Sequence, residues 1–416
     1  MTITKVYKKE NPLPLQYLGS KTRISPWILS TIKKESKNAK SLVDLFAGTG
    51  AVSIESCKHG LTPYLNDIQP YSAELLRSLF VENRAGLRGL IKFLESKQVQ
   101  MRLLTKGRST YGSLLKMEDN FFNDHKHHTL NWHNYKIFCE TTPNAWKRSQ
   151  IVELRKKNEW NLFVSYFSNR YFGVRQCLEI DLLRETANRL SKNLKTHLIA
   201  ATISALSSAV SSTTHLAQYL RPSTKQNTGD LIRKRKQSIF KLVINNLRLL
   251  LSYPTSKKSL VTNLNYVEAI TYFGRRVKRP SVIYADPPYF KEHYSRYYHV
   301  LDTFLLYDYP FLSINPITKD ITVGLYREHR IVSPFGLKSK VISAFDQLFM
   351  LGNKFRMPVY LSYANTSLVR KEILIKLAKK HHYKVTVLSK ELPHTGQGQK
   401  RHKTVLEYLF VCTLGK

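Results

Sequence analysis

The chain of 416 residues is long for one compact core and predicts a main domain with a second domain or a large insertion. Lys and Arg number 66 against 29 Asp and Glu, a net charge of +37, while 42% hydrophobic residues exclude large-scale disorder. Such an excess repels itself unless a polyanion is the partner, which favours nucleic acid over the lesser alternative of an anionic membrane surface and makes binding steeply salt-dependent.

The first predicted strand, Leu42 to Ala47, runs into Asp44-Leu45-Phe46-Ala47-Gly48-Thr49-Gly50 and a helix over Ala51 to Cys57. An apolar strand that ends in Asp-x-Phe-x-Gly-x-Gly and feeds a helix is a cofactor turn, with Gly48 and Gly50 allowing close backbone approach to a ligand. A second strand around Tyr64 to Asp67 precedes a helix over Ala73 to Glu82, so the chain opens as a parallel α/β sheet. Asp67, ending that strand, is placed to grip the ribose hydroxyls of an adenosine. Ser53 stands where a dinucleotide fingerprint requires Gly. An adenosine without a pyrophosphate, as in S-adenosylmethionine, therefore fits better than NAD.

Residues 86–258 differ in character, being rich in Lys, Arg, His, Asn and Ser. Helical periodicity predicts Glu179 to Leu194, His197 to Ser211 and Arg233 to Leu251. The segment carries Arg221 to Asn227 and then Arg233-Lys234-Arg235-Lys236, a flexible lead into a basic helix. Arg221, Lys225, Asn227, Arg233, Lys234, Arg235 and Lys236 are candidate DNA contacts, competing with an ordinary solvated face. His125, His127 and His128 lack partners at ligand spacing, so no metal site is expected.

Five later strands are predicted: Leu260 to Leu264, Val282 to Ala285, Val359 to Tyr363, Lys384 to Leu388 and Val405 to Cys412. They complete a sheet that two early strands cannot form alone. The expected architecture is thus one α/β domain, residues 1–85 and 259–416, split by a mainly helical insertion at residues 86–258. Directly after the second of the late strands stands Asp286-Pro287-Pro288-Tyr289. Two prolines stop the ladder and stiffen the backbone. The Asp286 carboxylate and the Pro287 carbonyl can each accept a hydrogen from an exocyclic amine, and Tyr289 can stack on an extruded base. The aromatic and basic run from Tyr289 to His299 adds Tyr294 and Arg296 as a wall or lid beside that base.

The four cysteines, Cys57, Cys139, Cys177 and Cys412, form no Cys-x-x-Cys pair, which argues against a disulfide framework or a structural zinc site. Polar Met1 to Pro14 has no apolar signal segment, and Leu198 to Val210 is too short for a membrane span. A soluble, cytoplasmic protein is expected.

With these elements in place, the sequence resembles the Dam-type, alpha-group adenine-N6 DNA methyltransferases. Gln16-Tyr17-Leu18-Gly19-Ser20-Lys21 is similar to that family's N-terminal cofactor motif, and Leu65-Asn66-Asp67-Ile68 to its ribose-binding segment. The order of N-terminal motif, cofactor turn, long insertion and catalytic tetrapeptide also matches. Val359 to Asn365 resembles the strand that lines the base pocket. The resemblance implies a Rossmann-like sheet with a target-recognition insertion, S-adenosylmethionine as cofactor, and methylation of a flipped adenine in duplex DNA. It further implies Tyr17 on the adenosine and Lys21 at the carboxylate end of the cofactor. Asn265 stands where the family carries an acid facing the adenine; its carbonyl oxygen can still accept from the adenine amine. Restriction-modification or phage-type DNA protection is the implied setting, with a cognate restriction endonuclease as a partner the resemblance leaves open. The alternatives are an RNA adenine methyltransferase, a cytosine-N4 enzyme, a DNA-binding protein with a decayed methylase core, and an NAD enzyme.

Overall fold

The structure, a computed structural model, describes residues 11–157, 159–213, 215–253, 258–277, 280–288, 294–393 and 404–415. Its centre is a sheet built from β1 (Ser41–Asp44), β2 (Thr62–Asn66), β3 (Leu260–Thr262), β4 (Ser281–Ala285), β5 (Val359–Ala364), β6 (Tyr383–Pro393) and β7 (Thr404–Leu414). The strand order is β3-β2-β1-β4-β5-β7-β6. β1 to β5 run parallel, and β7 lies antiparallel to both β5 and β6. This is an α/β fold of the kind S-adenosylmethionine-dependent methyltransferases use. β1 pairs with β2 on one side and β4 on the other, so the chain switches direction across the sheet beside β1. In open α/β sheets, the carboxyl edge at such a switch is where ligands bind.

The central strands are apolar because both faces are covered. Their residues alternate between the two faces with period two. Val43, Ile283 and Leu361 face the helices Tyr266–Arg276 and Val341–Lys354, while Leu42, Val282, Tyr284 and Tyr360 face the helix Ser25–Glu35.

The helices of residues 86–258 do not form a core of their own. They share one apolar cluster with the helix Pro70–Phe80 and with residues Tyr298 to Leu325, which follow the tetrapeptide. Two expected helices have different bounds. The predicted Glu179 to Leu194 is Val174–Asn188, and a new helix, Lys192–Ala209, takes in Leu194 and most of the predicted His197 to Ser211. The predicted Arg233 to Leu251 is two helices, Lys225–Arg235 and Ile239–Leu251. The break has a chemical cause. Ser238 caps the second helix by accepting from the Lys241 amide, and the buried Glu179 carboxylate accepts from the amides of Ile239 at 2.5 Å and Phe240 at 3.2 Å.

Buried acids do the same elsewhere in this region. Glu118 accepts from the Val174 and Arg175 amides, and Asp181 from those of Phe163 and Val164. Among the described residues, no helix is long and apolar enough to cross a membrane.

Candidate active site

Three strand ends meet at the carboxyl edge of the sheet. Asp44 closes β1, is almost fully buried, and accepts a hydrogen bond from the Ser53 hydroxyl at 2.7 Å through Oδ2. Its other oxygen is buried without a hydrogen-bond partner. Burial raises the Asp44 pKa to about 7 against the lowering effect of Ser53. Asp67 follows β2 and takes the Gly48 amide on Oδ2 and the Gln69 amide on Oδ1, each at 2.8 Å. One carboxylate thus ties the turn after β1 to the turn after β2. Asn66 extends the lacing: its Nδ2 donates to the Leu45 and Leu264 carbonyls, and its Oδ1 accepts from the Leu264 amide and the Thr262 hydroxyl.

Gly48 and Gly50 have φ of +52° and +78°. A Cβ at Gly48 would come within 2.9 Å of the Tyr17 ring, and one at Gly50 within 2.9 Å of Leu76. Only glycine suits either position. Tyr17 stacks on Tyr298 with ring centres 5.3 Å apart and packs against Tyr294 at 5.5 Å. Tyr294 and Tyr298 hold the segment that carries Tyr17. The Tyr294 hydroxyl donates to the Leu18 carbonyl at 3.0 Å, and the Tyr298 hydroxyl accepts from the Leu18 amide at 2.7 Å.

Asp286 lies immediately past β4, half-buried, followed by buried Pro287 and half-buried Pro288. Tyr289, the fourth member of the expected strip, lies outside the described residues. Asp286 Oδ1 is 2.9 Å from the Lys21 ammonium, which is also 3.3 Å from Glu407 Oε1 and 3.4 Å from the Gly19 carbonyl. Burial raises the Asp286 pKa to about 6, Lys21 pulls it down and Glu407 pushes it up. Two carboxylates and one backbone carbonyl thus flank the ammonium. Lys21, expected at the carboxylate end of the cofactor, thus lies beside Asp286 of the tetrapeptide.

A cleft lined by Tyr17, Phe46, Asp67, Asp286, Pro288 and Tyr294 joins the cofactor turn to the tetrapeptide. Beside it opens a hollow of about 540 Å³, walled by Phe46, Ile68, Asn265, Tyr266 and, from the other side, Ser333 and Lys340. Phe335 anchors that far wall edge-on to Phe46 and Tyr266. The Asn265 side chain has a second duty. Its Oδ1 caps the helix Tyr266–Arg276 by accepting from the Glu268 amide at 3.0 Å.

The model of the D12 class N6 adenine-specific DNA methyltransferase family matches residues 17–322, which run from the Tyr17 segment through the cofactor turn and the tetrapeptide. The chain belongs to this family. It is also 26% identical to "Modification methylase LlaI" of Lactococcus lactis subsp. lactis, over 88% of this chain and 49% of the relative. Identity is 25% to "Type II methyltransferase M.FokI" of Planomicrobium okeanokoites, over 95% of this chain and 52% of that protein. "Modification methylase StsI" of Streptococcus sanguinis is 22% identical, over 95% and 51%. The chain spans about half the length of the curated relatives it matches.

The expected DNA contacts separate into two groups. Arg221, Lys225, Arg233 and Lys236 are exposed. Arg233 pairs with Asp230, and Lys236 donates to the Phe122 carbonyl. Lys234 is half-buried and donates to the Val210 carbonyl. Asn227 spends its carbonyl oxygen on the Ser223 amide, in a reciprocal cap with Thr224. Arg235 is a correction. Only 1% of it is exposed, and its guanidinium donates to the Tyr135 hydroxyl, the Cys139 sulfur, Asn169 Oδ1 and the Arg170 carbonyl. It is a core cross-link that DNA cannot reach. The run Arg233 to Lys236 lies at the end of a helix, so one of its four side chains must point inward.

The segment just before Arg221 packs beside the tyrosines that follow the tetrapeptide. Leu216 donates to the Tyr297 carbonyl at 3.2 Å, and His215 Nδ1 lies 3.2 Å from the Gln16 carbonyl. Arg296, also expected at the DNA, lies over the Tyr326 ring at 5.1 Å.

Several site residues escaped sequence reasoning: Asn66, Ser53, Phe335 and Glu407. Glu407 left a trace, as a single acid in the apolar run Val405 to Val411.

Proposed function

We infer that this chain transfers a methyl group from S-adenosylmethionine to the N6 amine of an adenine extruded from duplex DNA, as the modification activity of a restriction-modification system. The observation that carries this reading is one cleft lined by both Asp67, which is tied to the cofactor turn through the Gly48 amide, and Asp286 of the tetrapeptide. The printed names of the relatives, modification methylases and a Type II methyltransferase, support the setting.

The residues present fit the cofactor. The hollow lies within the range of about 300–1,000 Å³ common to small-molecule sites. The buried oxygen of Asp44 that lacks a partner is an acceptor for the cofactor's ammonium. Asp67 has lone pairs left for ribose hydroxyls beyond its two amide contacts, and Phe46 and Ile68 offer apolar surface to the adenine. Asp44, Asp67, Asp286 and Glu407 outnumber Lys21, so a strongly basic protein presents a locally anionic site. That suits a cationic ligand.

When bound, S-adenosylmethionine supplies a methyl group activated by a positively charged sulfur. Asp286 and the Pro287 carbonyl hold the two hydrogens of the amine, which turns the nitrogen lone pair out of conjugation with the ring. The stiff Pro287-Pro288 backbone keeps the two acceptors in register. Tyr17 and Tyr294 provide an aromatic wall, and Tyr289 a stacking face for the base. Residues 1–85 and 259–416 carry the chemistry in this reading, and residues 86–258 carry target recognition, with exposed Arg221, Lys225 and Arg233 on phosphates.

The test is incubation of the purified chain with tritiated S-adenosylmethionine and either duplex DNA or RNA, followed by nucleoside analysis. Label in N6-methyladenine from DNA is expected. Label only in RNA, or in N4-methylcytosine, overturns the reading.

A further inference from the structure

Glu407 stands outside residues 17–322, in the antiparallel strand β7. Because β7 runs against β5, it enters the sheet at the edge where the parallel strands end. Glu407 is paired with Ala364, the last residue of β5, and so stands at the catalytic edge. The alternation along β7 sends Leu409 and Val411 into the cluster under the helix Ser25–Glu35, and Glu407 shares their parity. Its side chain therefore points to the face from which the turn preceding that helix delivers Lys21. The carboxylate is only 3% exposed, and the ammonium it meets 7% exposed. A carboxylate buried in this way is strongly unfavourable unless a cation answers it.

Lys21 is thereby divided between two anions, at 2.9 Å from Asp286 and 3.3 Å from Glu407. Asp286 Oδ1, the oxygen facing Lys21, is shut off from solvent, yet 17% of the side chain remains exposed. The carboxylate is thus held by one oxygen and offers the other to the cleft. We propose that Glu407 is a positioning residue for methyl transfer: it fixes the Lys21 ammonium on the inner oxygen of Asp286 and shares its charge. The outer oxygen then stays oriented toward the amine and strong as an acceptor. The proposal rests on the methyltransferase reading of Asp286.

Without Glu407, Lys21 would lose one of the two carboxylates that flank it. It would be less firmly placed, and it would draw the catalytic carboxylate toward weaker basicity. The other titratable groups that face Asp286 are Asp44 from β1, Tyr284 from β4 and Tyr17.

The experiment compares the full chain with Glu407→Gln and Glu407→Asp. In cofactor-free protein, trace labelling with acetic anhydride and mass spectrometry reads the reactivity of Lys21 against the other lysines. Loss of one anion should lower the Lys21 pKa, with reactivity rising about ten-fold per unit. In single-turnover transfer, Glu407→Gln should lose rate on the order of ten- to hundred-fold with little change in cofactor affinity. Its acid limb should move down by roughly half a unit to one unit. Glu407→Asp, which keeps the charge, should restore the limb and part of the rate.

An unchanged acid limb in Glu407→Gln overturns the proposal, whether or not Lys21 labelling changes. Equal losses at every pH in both variants, with lowered melting temperatures, mark Glu407 as a structural residue and overturn it too. If the wild-type chain moves no methyl group to DNA, the functional reading fails on its own. The labelling then still decides whether Glu407 governs Lys21.

Discussion

Lys21 and Asp286 meet at 2.9 Å although they stand far apart in the chain, one before the first helix and the other after β4. The contact joins the N-terminal motif to the tetrapeptide. It also explains how a carboxylate raised by burial to about 6 is still ionised at neutral pH.

Replacing the catalytic acid should separate binding from chemistry. Asp286→Ala removes an acceptor of the amine and should lower transfer by at least about 10²-fold. DNA affinity in a gel-shift assay should stay near wild type. In the wild-type protein, the single-turnover rate should fall as pH drops through about 6, because protonated Asp286 can no longer accept freely.

Cofactor affinity should follow a second ionisation. Burial raises Asp44 to about 7, so lowering the pH from 8 to 6 protonates it and removes an anion from the site of a cationic ligand. Calorimetric titration should give a weaker Kd at pH 6 than at pH 8. Asp44→Asn should bind weakly at both and lose most of the pH dependence.

The basic run should divide under mutation. Arg235→Ala strips four acceptors of their buried donor and should destabilise the fold by about 3 kcal/mol or more in denaturant titration. Arg221→Ala, Lys225→Ala and Arg233→Ala should leave the melting temperature unchanged. Each that touches a phosphate should lower the salt slope of DNA binding by about one.

Asp181 should make the helical region pH-sensitive. Burial raises its pKa to about 7 in the folded chain, above the ordinary unfolded value of about 4. A group with a raised folded pKa contributes stability that is full below the unfolded value and lost as pH climbs through the folded one. Asp181→Asn has only one acceptor oxygen for the Phe163 and Val164 amides, so it should be less stable at pH 5 by about 1–3 kcal/mol. The gap between wild type and variant should narrow by pH 8.

The strands, the cofactor turn and the tetrapeptide were legible in the sequence because each is local. Apolar runs bounded by turn residues, the glycines after β1 and the paired prolines after β4 depend on neighbours in the chain and on backbone geometry that those residues impose. The charge balance pointed to a polyanion for the same reason, since it is a sum over residues and needs no coordinates. What only the tertiary structure decided are the partnerships between distant segments. Lys21 comes to lie beside Asp286, and Asn265 caps a helix at the wall of the hollow. Arg235 went into the core while Arg233 stayed at the surface, and an antiparallel strand brought Glu407 to the site. Each depends on which face of an element is buried and on where a strand enters the sheet, and packing across the whole chain sets both.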